Sequence, residues 1–86
     1  MTFYPAIVEG PGSDGGFAAE VLGTGVLGQG DTQFAALRNA AEILQEVIDD
    51  FLATGTALPS PGEAGPGDLS RGTLAMLQVS IPAHAA

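Results

Sequence analysis

Between Thr32 and Ala53 the apolar side chains Phe34, Leu37, Ala41, Leu44, Ile48 and Phe51 recur at steps of three and four, which is the period of an α-helix. At about 100° per residue they fall on one arc. Ala40, Ile43 and Val47 widen that arc to roughly half the circumference, broader than the narrow seam of a coiled coil. Such a helix needs a wide apolar surface to lie on and a neighbour at its flank. Asp31 or Thr32 offers a side-chain oxygen to the free amides at the helix start, and Thr54-Gly55 supplies a left-handed end.

The surface it lies on is sought in the short runs on either side. Residues 2–9 (TFYPAIVE) and 16–22 (GFAAEVL) are rich in aromatic and β-branched residues and flank the turn formers GPGSDG, the pattern of a β-hairpin. In the second run Phe17, Ala19 and Val21 share one face. Pro5 removes a ladder donor, so the first strand is expected to be irregular there. Residues 26–29 form a third short strand. Residues 74–81 (LAMLQVSI) form the last, with Leu77, Val79 and Ile81 on one face, Pro82 stopping it and the tail PAHAA fraying. Between helix and last strand, residues 55–73 hold three of the six prolines and five of the thirteen glycines, and read as a long loop with one turn at most, at residues 60–63.

The order β-β-β-α-β with one long helix implies an α+β domain, an antiparallel sheet of three to four strands covered on a single face. The uncovered face must then be polar or bind something. Phe3 and Ile7 oppose Tyr4, Ala6 and Val8 across the first strand, so both faces carry apolar groups. A chain of 86 residues buries only about 60% of its unfolded surface. A homo-oligomer, dimer or tetramer, is therefore expected, with Phe3, Ile7, Leu77, Val79 and Ile81 as its interface.

Charge narrows the partners. Ten Asp and Glu against two Arg and no Lys give a net charge of −8, which repels phosphate backbones and argues against direct nucleic-acid binding. The same charge favours a basic partner and speeds its approach. Glu42, Glu46, Asp49 and Asp50 fall on one side of the helix, where like charges repel and the two aspartates oppose the helix dipole. Arg38 is placed to pair with Glu42 one turn on. Together with Glu9 and Glu20, these four carboxylates are the candidate contacts for a basic partner.

Catalysis finds little support. With no cysteine and one histidine the chain has no disulfide, thiolate nucleophile or His-rich metal site. Ser80 and His84 lack an orienting acid and a nucleophile turn. Gly23, Gly25 and Gly28 match G-x-G-x-x-G, yet the helix opens well after them and no parallel strand follows. Glu9, Glu20 and Asp68 are too scattered to hold Mg²⁺ for phosphodiester hydrolysis. No catalytic, cofactor or metal-binding residue is nominated. The first ten residues carry no basic and apolar leader, and no apolar run approaches the length of a membrane span, so the cytoplasm is the default expectation.

Several motifs fall in register with a known family. Tyr4, Pro5, Ala6, Val8 and Glu9 open the chain. Asp14, Gly15, Gly16, Phe17, Ala19 and Glu20 follow across the hairpin, then Gly25, then Gln29, Gly30, Asp31 and Thr32 before the helix. Ala36, Leu37, Asn39, Ala40 and Glu42 fit an A-L-x-N-A-x-E pattern, and Leu58-Pro59 a proline-containing exit. Over residues 3–59 the chain thereby resembles the HicB-like antitoxins. Two departures stand out: the family's Pro-Asp-Leu-Pro-Gly is reduced at residues 21–25 to Gly25, and the 55–73 segment is rich in glycine and proline.

The resemblance implies a partial RNase H-like fold without catalytic carboxylates, and inhibition by binding a small basic RNA-cleaving toxin of the HicA type. Residues 1–86 are then expected to form one HicB-like domain without the C-terminal DNA-binding module that many relatives carry. The leading expectation is an antitoxin-type binding protein that occludes the toxin's active surface and uses no cofactor. The alternatives are a stand-alone homo-oligomer that binds itself or a small ligand, and a metal-dependent nuclease on the same frame.

Overall fold

The turn formers at residues 10–16 reverse the chain by a backbone bond from the Gly12 amide to the Gly16 carbonyl, while the Asp14 carboxylate accepts from the Gly16 amide. In the computed structural model, which describes residues 2–81, this turn joins β1 (Thr2–Glu9) to β2 (Phe17–Val21). A tight turn containing Gly23 and Gly25, both at positive φ, leads into β3 (Val26–Gly30). The long helix α1 (Gln33–Thr54) follows, then a short helix α2 (Pro66–Arg71) and β4 (Thr73–Val79). The strands form one antiparallel sheet in the order β3-β2-β1-β4, with α1 on one face, an α+β fold.

Register decides which side chains meet under the helix. Ala6 pairs with Val21, Val8 with Ala19 and Tyr4 with Leu77, so the inner rows of three strands align. With Val26 and Val79 they pack against Ala36, Ala40, Leu44 and Ile48 of α1. Complete burial of Leu44 and Ile48 supplies about 1.5–3 kcal/mol each. Thr32 caps α1 by accepting from the Ala35 amide at 3.0 Å, and Gly55 ends it at φ 71°, a conformation glycine adopts without a Cβ penalty.

The buried stripe of α1 is turned from the arc that the largest side chains mark. Ala36, Ala40, Leu44 and Ile48 are buried, while Phe34 is 70% exposed. The cause is β3. A Cβ on Gly28 would lie 2.6 Å from the Ala36 carbonyl oxygen, so the helix backbone rests directly on the strand and only alanine fits between. Of the three glycines in the dinucleotide-like spacing, two therefore serve a turn and the third a close approach.

Other expectations also need correction. Pro5 does not break β1, whose pairing with β4 runs from Thr2 to Val8; its carbonyl still accepts from the Leu22 amide. The glycine and proline-rich segment holds α2 rather than a turn at residues 60–63. Pro66 starts this helix and the Asp68 carboxylate accepts from the Gly65 amide at 3.0 Å. The last strand begins at Thr73 and stops at Val79, because Gln45 of α1 holds both the amide and the carbonyl of Ser80. Pro82, the PAHAA tail and His84 lie outside the described residues.

Leu77 and Val79 are buried under α1, and Ile81 packs against the same core, so these residues hold the chain together and offer no ready surface to a second copy. Ile7 is also fully buried, on the opposite face, with its Cγ2 against Gly72 where α2 folds back over β1. Of the five residues expected at an oligomer interface, Phe3 remains exposed.

Candidate protein-interaction surface

Facing away from α1, the sheet presents Phe3 and Glu9 of β1, Glu20 of β2, Leu27 of β3, and Leu74 and Met76 of β4. Phe3, Leu27, Leu74 and Met76 are each about half exposed, as is Leu69 of α2. The face is therefore neither sealed nor hydrophilic. It is an open apolar surface crossed by one charged cluster.

That cluster is built on Arg71. Its Nη2 donates to Glu20 Oε1 at 2.7 Å and to Asp68 Oδ1 at 3.1 Å, and its Nη1 lies 3.3 Å from Glu9 Oε2. The guanidinium thus joins α2 to both central strands and closes the short helix over Ile7. The Gly65 amide and the Arg71 guanidinium hold the Asp68 carboxyl below its ordinary range, and hydrogen bonding to Asp68, Glu20 and Glu9 raises Arg71. In the sequence, Glu9 and Glu20 read as contacts for an external cation. The structure brings them together around an internal one, leaving their side chains nearly half exposed. The available signal was that a chain with two arginines carries one of them three residues after Asp68, just before a strand.

Glu42, Glu46, Asp49 and Asp50 are all exposed along the outer side of α1, and no salt bridge reaches them among the described residues. Asp49 accepts from Gln45 Nε2 at 3.2 Å. Arg38 does not pair with Glu42; it lies over the exposed Phe34 ring, 5.8 Å from its centroid, a cation–π arrangement. Both arginines are therefore engaged elsewhere, and the helix carboxylates form an uncompensated negative strip.

An open groove at the hairpin end of the sheet is lined by Phe17, Ala18, Glu9, Asp14 and Asp31 among others. A lining that combines an aromatic ring with carboxylates suits the aliphatic stem and charged head of a lysine or arginine. Asp14 and Asp31 read in the sequence as turn and cap residues, and only the fold brings them to the lining of one groove. No group of three or more Asp, Glu or His converges as a metal site among the described residues, and no described helix is long and apolar enough to cross a membrane.

The sequence matches no protein-family model and no curated protein. Two solved structures share the fold. One is a chain in a HicA3 and HicB3 toxin-antitoxin complex, 22% identical, with a TM-score of 0.68 over 93% of this chain and all of that one. The other is the Burkholderia pseudomallei antitoxin HicB, 17% identical, with a TM-score of 0.75 over 99% of this chain and 67% of that one. The chain thus has a HicB-like antitoxin fold, in agreement with the resemblance seen in its motifs.

Proposed function

We propose that this protein is an antitoxin-type binding module that neutralises a small basic HicA-like RNA-cleaving toxin by covering its active surface. The observation that carries the reading is the superposition, over nearly the whole chain, on a chain of a toxin-antitoxin complex. Charge supports it. A net charge of −8 with both arginines engaged internally leaves Glu42, Glu46, Asp49 and Asp50 to meet the cations of an RNA-binding surface, and Glu9 and Glu20 at the groove and sheet face to add to them. The proposed action uses no catalytic group, no cofactor and no direct contact with nucleic acid.

The test is co-expression with a small basic HicA-like protein, sought first among the genes that flank this one. We expect the two to co-purify and RNA cleavage in the cell to cease. Undiminished toxicity when both chains are present at equal levels would rule the reading out. A second reading, a stand-alone homo-oligomer without a cognate toxin, draws on the half-exposed Phe3, Leu27, Leu74 and Met76. It predicts no toxic neighbour and an oligomer that buries those side chains.

A further inference from the structure

The groove at the hairpin end is assembled from four parts of the chain. The end of β1 brings Glu9, the turn brings Asp14, β2 brings Phe17 and Ala18, and the approach to α1 brings Asp31. Its volume of about 520 Å³ lies within the roughly 300–1,000 Å³ of pockets that hold a ligand. Four glycines among its lining residues add no side chain, so the space stays open. It lies at the Glu9 end of β1, whereas the chain leaves β4 at the other end, where Thr2 pairs with Val79.

The charge of the groove is one-sided. Glu9, Asp14 and Asp31 line it with no cation among them. Asp31 is exposed, and no salt bridge reaches it among the described residues. Asp14 accepts from the Gly16 amide, a neutral donor, and Glu9 Oε2 lies at the longest of the Arg71 contacts, 3.3 Å. Charge of this sign in an open groove favours a cationic group from outside.

We propose that this groove receives an arginine side chain of a basic protein partner. The chain itself displays both contacts that such a guanidinium makes. Arg71 is held among the carboxylates of Glu20, Asp68 and Glu9, and Arg38 lies over the ring of Phe34. The groove sets carboxylates beside the aromatic Phe17, and neither arginine lines it. Arginine suits it better than lysine, because the planar guanidinium is more weakly hydrated, stacks on a ring and forks across a carboxylate. A second copy of this chain is a poor occupant, since it brings another net charge of −8 and arginines that are already engaged. Phe34, 70% exposed in the first turn of α1 and three residues on from Asp31, adds an aromatic contact of the kind on which binding energy concentrates. That the arginine belongs to a HicA-like toxin rests on the proposed function; the preference of the groove for a guanidinium does not.

The probe is N-acetyl-L-arginine amide, titrated into the full chain and followed by amide NMR shifts. The amides of Ala18, Gln29 and Asp31 should move and saturate, while those of Glu42, Glu46 and Asp50 on the helix strip stay in place. The neutral isostere N-acetyl-L-citrulline amide should move none of them. Asp31→Asn, which leaves the Thr32 cap intact, should weaken the probe severalfold. Ala18→Arg places a guanidinium of the chain's own between Glu9 and Gln29, the strand neighbours of residue 18, and should abolish the response with an unchanged circular dichroism spectrum. Equal shifts along the helix strip, equal shifts with the citrulline compound, or undiminished binding to folded Ala18→Arg overturns the proposal. A chain that neutralises a toxin with unchanged affinity after Ala18→Arg would remove the groove and keep the antitoxin reading, whereas a groove that takes the probe in a chain that silences no toxin would remove that reading alone.

Discussion

Gly28 is where the helix and sheet come closest, and the space a side chain would need is already filled by the backbone of α1 at Ala36 and Ala40. Backbone cannot swing aside as a side chain can. Gly28→Ala should therefore cost about 2 kcal/mol through overpacking, read as a lower urea midpoint. Tyr4 makes a different kind of contact. Its ring is buried in the core and its hydroxyl donates to the Pro59 carbonyl, tying the segment after α1 to β1. Tyr4→Phe should lose about 1 kcal/mol, the usual net value of one hydrogen bond. Burial raises the Tyr4 hydroxyl above its ordinary value of 10.0. The neutral phenol is the form the fold favours, so its contribution is complete below pH about 10 and is lost as pH rises through the raised folded value. The phenylalanine variant should lack that alkaline loss when unfolding is followed by circular dichroism.

At the scale of elements, the helix and strands were legible because their signals are periodic and their ends are capped by Thr32 and Gly55. Two things were not. The rotation of α1 is set by the absence of a side chain at Gly28, and a pattern that weighs large apolar residues places Phe34 inward when it lies outward. α2 is hidden among glycines and prolines because, besides its own Asp68 cap, it depends on a distant pairing, Arg71 with Glu9 and Glu20. The same long-range pairing changed the reading of the site, since carboxylates that look free in the sequence have a cation of their own. Arg71→Gln should release α2 from the sheet and raise amide exchange at residues 69–71 at least tenfold, while the amides of α1 stay protected. Acid should act in the same place. Asp68 has a depressed folded value, so its contribution is present above the ordinary value near 3.8 and lost as pH falls through the folded one. Exchange measured below pH about 4 should show α2 opening before the sheet, with correction for the intrinsic rate.

For the whole molecule, what matters is how few cations remain for so many carboxylates. Arg71 is held by three of them and Arg38 lies over a ring, so the strip Glu42, Glu46, Asp49 and Asp50 keeps its full charge. That strip is a cost to the fold. Glu46 and Asp50 are one turn apart, and Asp50 lies toward the negative end of the α1 dipole. Asp50→Lys relieves both effects and should stabilise the free protein by about 0.5 kcal/mol, seen as a higher melting temperature. If the strip receives a basic toxin, the same substitution should slow association severalfold at low salt and flatten its salt dependence, because steering acts mainly on the on-rate. The two readouts then move in opposite directions. A residue kept only for folding should improve or leave both unchanged on substitution, so a more stable chain that captures its toxin more slowly is the result that separates a binding role for the acidic helix from mere solvation.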